Sequence, residues 1–401
     1  MQNQIMPPHR DRFFKGFISL SGAVFGAFAL ALTLTYFIVN TAAEWSVTET
    51  ARTCFHFPER KAIPDRDDII QAILSATFFG SDALYFDEGE ENTGMTEPYI
   101  PPSDSEDSNT PHRPIGEPST VLDTDIYKFD RTLVPSGQSP IVPYDLTYGA
   151  KIGEILFTNT TAYNVSAEEA LACPYPIKTS LDAYTNDKPL ILIIHTHGTE
   201  AYSPNGALYT SPSATQRSAD TSENVVALGR VMANLLNDAG IPTLHIETMH
   251  DLNSYPRAYD LAADTVQKYL TEYPSIKYVF DIHRDAIVRG NGDLIRPVTV
   301  INGEAAAQVM LLVGTDELGA DHDTWRDNLS VAVQLQSRLS SNYERFARPI
   351  NVRGASFNEQ FTKGSLLIEI GSAANSLEEA KTAAKYLTYS IIDMIKDFEV
   401  K

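Results

Sequence analysis

Three apolar segments of this chain end in, or enclose, side chains of the kinds that hold metals and move protons. In LILIIHTHGTE, His195, His197 and Glu200 follow an aliphatic run. In KYVFDIHRDA, the run ends in Asp281, His283, Arg284 and Asp285, and in SLLIEIGSAAN a carboxylate, Glu369, stands inside the apolar stretch itself. A lone histidine at a strand end is ordinarily a hydrogen-bonding surface residue. Two of them together with a buried carboxylate are a different matter, because a buried carboxylate is costly unless it is paired, metal-bound or protonated. A catalytic zinc takes three N or O ligands and keeps a position for water, whose pKa it lowers toward about 7. A neighbouring Glu with a raised pKa then takes and returns the proton. The residue types therefore point to a metal hydrolase, with Zn2+ as the expected cofactor.

Such groups converge only if a fold brings the strand ends together. Pro189–Ile194 reads as a strand covered on both faces, and Asn224–Ala239 as an amphipathic helix stopped by Gly240 in the C′ position. Ile241–Ile246 then reads as a strand, Ala258–Glu272 as a helix and Lys277–Ile282 as a strand. Gln308–Gly314 and Ser365–Ile370 are further strands, with helices over Leu329–Asn342 and Leu377–Lys396. This alternation predicts an α/β fold, a mostly parallel sheet with helices on both faces, over residues 148–401. In open sheets of this kind ligand sites form past the carboxyl ends of the strands, where the ionisable groups lie.

The N-terminal part is built differently. From Gly16 to Ala43 no Asp, Glu, Lys or Arg interrupts the apolar run, which exceeds the ~20 residues a helix needs to cross a bilayer. Arg10, Arg12 and Lys15 precede it, so residues 1–15 are expected in the cytoplasm and the rest outside, in a single-pass cell-membrane protein. The run is too long for a cleaved signal peptide, although Asn40–Ala43 leaves a small-residue cleavage site open. Residues 44–147 read as an extracytoplasmic linker, largely disordered and rich in Asp, Glu, Ser and Pro, with one amphipathic stretch at Asp67–Phe79. With 31 Lys and Arg against 52 Asp and Glu, the net charge of −21 excludes a nucleic-acid binder. Cys54 and Cys173 have no Cys or His at ligand spacing and give no metal site.

HTHGTEAY, ENVVALG, YPSIKYVFDIHRDAI, FNEQF and SLLIEIGSAANSLEEA, in this order over about residues 150–400, strongly resemble the stage II sporulation protein P family. That family is similar in turn to the zinc N-acetylmuramoyl-L-alanine amidases. The resemblance implies hydrolysis of the amide joining glycan and stem peptide in peptidoglycan, cleavage of stem-peptide cross-links, and a place in forespore engulfment beside stage II sporulation proteins D and M. A wall-binding scaffold without catalysis is the alternative. Residue by residue, His197 and His283 resemble zinc ligands, and Glu369 the catalytic glutamate ahead of Gly371 and Asn375. The remaining ligand, a Glu at the start of the helix after the first strand, is open among Asp220, Glu223 and Glu200, with helix register favouring Asp220. His195 is expected behind His197, orienting a ligand; Arg284 and Asp285 are expected in an ion pair or against substrate, and Asn375 behind the ligands or against substrate. FNEQF has Phe357 and Glu359 where the family more often shows Tyr-Asn-Gln around Asn358.

Overall fold

Uninterrupted aliphatic runs become the middle of a sheet, because both faces of such a strand must be covered. The structure, a computed structural model, describes residues 124–148, 150–152, 155–165, 175 and 177–400. The expected membrane helix at 16–43, most of the linker, Cys54 and Cys173 lie outside the described residues. Among those described, no helix is long and apolar enough to cross a membrane.

In chain order the strands are β1 (Ser139–Tyr144), β2 (Ala150–Ile152), β3 (Ile155–Asn159), β4 (Ile191–Ile194), β5 (Tyr209–Thr210), β6 (Thr243–His245), β7 (Tyr278–Asp285), β8 (Leu294–Ile301), β9 (Glu304–Ala307), β10 (Val309–Gly314), β11 (Ile350–Arg353) and β12 (Gly364–Ser372). The helices are α1 (Val225–Asp238), α2 (Ala258–Glu272), α3 (Trp325–Asn342) and α4 (Leu377–Asp397). An eight-stranded sheet runs β2-β3-β11-β10-β12-β7-β4-β6. It is parallel except at β2/β3 and β10/β12. The expected mostly parallel sheet is thus a mixed one. A second sheet, β5-β1-β8-β9, was not legible in the sequence. It corrects the linker boundary, since Ser139–Tyr144 pairs with β8 and buries Ile141. Pro140 and Pro143 disguise that strand, because proline removes a ladder donor and argues against a strand inside a sheet.

The side-chain alternation of the strands sorts the two faces. Ile191 and Ile193 of β4, Tyr278, Phe280 and Ile282 of β7, and Leu366, Ile368 and Ile370 of β12 pack into one core with α1, α3 and α4. Leu192, Ile194 and Val279 face the other way, against Ala262, Val266 and Tyr269 of α2. Helices therefore cover both faces, α1, α3 and α4 on one and α2 on the other, at the β7-β4-β6 end of the sheet. Asp281 and His283 share the parity of Val279, so they lie on that thinner-clad face.

Helix ends follow their local signals. The Asn224 side chain accepts from Val226 N and starts α1, while Gly240, with φ +78°, stops it. Ser376 and Glu379 form a capping box at the start of α4. Helix α1 also lies close over the sheet at Gly229. A Cβ there would stand 2.3 Å from His245 Nε2 and 2.7 Å from His195 Nε2. Gly229→Ala should therefore destabilise the fold by about 1–3 kcal/mol through overpacking, despite alanine's better helix propensity of about 1 kcal/mol. A denaturant midpoint unchanged or raised in that variant would contradict the close approach.

Candidate active site

The parallel pairing of β7 with β12 places Glu369 directly opposite His283, about 4.8 Å away across the ladder. The register shifts between Glu369 and Ser372, at Gly371 with φ +71°. From there the chain turns into α4. Next to β7 on its other side, β4 ends at Ile194, opposite Asp281, and the HTHGTE turn begins. The three expected strand ends do converge.

His283 lies between two carboxylates. Its Nε2 is 3.0 Å from Asp281 Oδ1 and its Nδ1 is 3.5 Å from Glu200 Oε2. Burial alone would push this ring toward the neutral form; Asp281 and then Glu200 outweigh it and raise the pKa well above the ordinary histidine value. The His197 ring sits 5.4 Å from that of His283, at 87° to it, and stacks on Tyr255 at 4.4 Å. Burial lowers the His197 pKa to about 3, with Glu200 opposing. Tyr259, on the first turn of α2, meets the same ring edge-on at 5.5 Å.

Glu369 is 8% exposed and its Oε2 is buried without a hydrogen-bond partner. Burial, then the charge of Asp285, pushes its pKa up to about 8, against the pull of His283 and Arg348. Asp285 itself is held by Arg348 at 2.7 Å, and not by Arg284.

Glu200, not Asp220, stands with the two histidines. The chain after β4 folds back in a tight turn, with Glu200 N bonding His197 O. This brings the Glu200 carboxylate over the Arg284 backbone N, which it accepts at 3.0 Å. Asp220 and Glu223 are exposed; Asp220 accepts from Ser222, and Glu223 from Ser218. The register argument for Asp220 counted residues to the end of α1 and had no view of that turn. His195 also departs from expectation. Its ring lies against α1, with Nε2 2.8 Å from His245 Nε2 and Nδ1 3.1 Å from Ile282 O. The strand ends at Ile194, so alternation does not carry on to His197. Arg284 donates to the carbonyls of Ala201, Thr215 and Gln216, pinning the polar 203–220 segment. Asn375 closes the turn into α4 through Ser372 N, Pro297 O and Glu379. Asn358 donates to Tyr259 O at 2.7 Å.

Sequence reasoning passed over Asp251, Arg217, Tyr255 and Tyr259. Asp251 is buried, bonded to Arg217 at 2.7 Å, and its Oδ2 is 3.8 Å from His197 Nδ1. The pair of tyrosines four apart in SYPRAYD, one turn of helix, was the available signal.

Among the described residues, no three His, Cys, Asp or Glu side chains are already gathered at metal-holding spacing. The donor chemistry nevertheless fits zinc. Two imidazoles and a carboxylate, His197, His283 and Glu200, form the N and O set such sites use.

Fold and site define an α/β protein with a buried histidine–carboxylate site at the carboxyl ends of its central strands. The stage II sporulation protein P profile matches residues 150–392. The chain belongs to that family. It is 28% identical over 226 residues to stage II sporulation protein P of Bacillus subtilis (strain 168), covering 54% of this chain. The chain spans about half of that relative, 53% of its length. Among solved structures it is similar to the CwlD amidase from Clostridioides difficile in complex with the GerS lipoprotein (14% identity, TM-score 0.35, covering 53% of this chain and 98% of that one). It is also similar to the apo form of the N-acetylmuramyl-L-alanine amidase Ami1 from Mycobacterium abscessus (13% identity, TM-score 0.31, covering 52% and 98%).

The raised Glu369 pKa has a stability consequence. Between its unfolded value near 4.5 and about 8, the folded state binds this proton more tightly, so the group subtracts stability as pH rises through that window. In metal-free protein, Glu369→Gln should therefore gain stability over the parent at pH 8–9 and lose that advantage toward pH 4.5. Parallel pH–stability curves for the two proteins would show that Glu369 is not held this way.

Proposed function

We propose that this chain is a membrane-anchored peptidoglycan hydrolase that cleaves the amide between N-acetylmuramic acid and the L-alanine of the stem peptide. In this reading His197, Glu200 and His283 hold a zinc ion and Glu369 carries the proton. The observation that carries it is the register of Glu369 opposite His283, which sets a buried, unpartnered carboxylate of high proton affinity beside an imidazole. Family membership supports the cell-wall and sporulation setting.

Held by His197, Glu200 and His283, a zinc ion would supply polarisation of a water and of the scissile carbonyl. Glu369 takes the proton of the attacking water as the C–O bond forms. It returns that proton to the departing amine as the C–N bond breaks. Burial keeps water from competing for the carboxylate between the two halves. Asp281 and Glu200 hold the His283 ring from its two sides, and Tyr255 and Tyr259 wall the His197 ring.

The same reading includes the anchor at 16–43 with its N-terminus in the cytoplasm, the reach of the acidic linker, and the folded domain outside. Its support is the uncharged apolar run preceded by basic residues and followed by Glu44 and Glu49. Cleavage of stem-peptide cross-links and association with stage II sporulation proteins D and M rest on the family resemblance.

Digestion of purified peptidoglycan by the full-length protein tests the proposal. Stem peptides with free L-alanine amino termini should appear, stop on chelation and return with zinc. Glu369→Gln should lose about 10²–10⁴-fold in rate and keep its metal, whereas His197→Ala should lose the metal itself. Full hydrolysis by Glu369→Gln sinks the proton-carrier role. Wall binding with no cleavage by the parent protein points to a scaffold instead.

A further inference from the structure

His197 has a threonine on each side, one residue before it and two after, and both are held in the same unusual way. Thr196 gives its backbone N–H to Asp281 Oδ1 at 2.8 Å and its hydroxyl to Asp281 Oδ2 at 2.5 Å. Thr199 gives its backbone N–H to Asp251 Oδ1 at 3.0 Å and its hydroxyl to Asp251 Oδ2 at 2.5 Å. Each threonine thus engages both oxygens of one buried aspartate. The aspartates come from different elements, the middle of β7 and the loop after β6, and each also faces a site histidine. Asp281 Oδ1 is 3.0 Å from His283 Nε2, and Asp251 Oδ2 is 3.8 Å from His197 Nδ1.

We propose that Asp281 with Thr196 and Asp251 with Thr199 form a double clip, a pair of positioning devices that fix the spacing and ring orientation of His197 and His283. The inference rests on the assignment of those histidines as zinc ligands. A carboxylate behind a ligating imidazole orients the ring and makes it a better donor. Here the same carboxylates also staple the main chain that carries His197, so a single buried group sets both the ring and the backbone. Around Asp251 the arrangement is closed by Arg217, 2.7 Å from Oδ2, whose guanidinium also lies 4.7 Å over the Tyr255 ring. Tyr255 in turn stacks on His197, so the ring is bounded by an aromatic face and a carboxylate at once. Both aspartates are more than nine-tenths buried; their two full sets of donors are what such burial requires.

The test uses full-length protein and two readouts. Side-chain relaxation of the labelled imidazoles, in metal-free protein, should find both rings rigid in the parent. Asp281→Ala should loosen the His283 ring, Asp251→Ala the His197 ring, and Asp→Asn at each position should restore part of the order. Zinc affinity by chelator competition, measured where each metal-free variant is folded, should fall about 10–100-fold in each alanine variant. Should the alanine variants fail to fold, Thr196→Val and Thr199→Val remove only the hydroxyls and should weaken zinc in the same direction. Rings as rigid in every variant as in the parent, or zinc affinity unmoved across folded variants, overturns the clip. If the parent binds no zinc, the ligand assignment falls, and ring order alone decides the clip.

Discussion

Everything at the candidate site depends on one ladder, the parallel pairing of β7 with β12 in the middle of the large sheet. Its register sets His283 opposite Glu369 and leaves little freedom, since a slip of one residue would turn every side chain of a strand to the opposite face. Nine consecutive buried residues in β12 enforce that register, because Leu366, Ile368 and Ile370 must meet the core under α3 and α4. The apolar residues on one face thereby determine where the polar ones on the other must stand.

That arrangement carries an electrostatic burden. Asp281, His283, Glu200 and Glu369 are all more than nine-tenths buried, and isolated charges in such a place would be untenable. The structure relieves it by partnering. Glu200 takes the Arg284 backbone N–H, Asp281 takes Thr196 and His283, and Asp285 takes Arg348. Glu369 alone has an oxygen left over, and its proton affinity rises accordingly. Local charge matching thus converts a fold requirement into a reactive group.

Much of this was legible in the sequence, and for physical reasons. The runs that became β4, β7 and β12 are largely apolar and free of alternation, and the α1 stripe repeats at helical spacing between Asn224 and Gly240. Glu369 announced itself as a charge inside such a run. What escaped is held by contacts between segments distant in the chain. Strand β1 hides behind prolines, and Asp251 reaches His197 from a loop with no periodic pattern. The choice of Glu200 over Asp220 turned on how tightly the HTHGTE turn folds back, which residue spacing does not encode. His195 looked like a neighbour of His197 by alternation, but the strand stops first and its ring packs under Gly229 instead.

The central strand β12 comes after every other strand of its sheet in sequence. It lies between β7 and β10 in space, so its neighbours are made before it. As the chain emerges from its N-terminus, His197, Glu200 and His283 are available well before the strand that carries Glu369. Until that strand enters, β7 and β10 lack the neighbour that joins them, and the sheet has a gap at its centre. Long-range closure of this kind is the slow part of assembling a sheet. The ladder that sets Glu369 opposite His283 therefore closes only after the other strands of the sheet have been made.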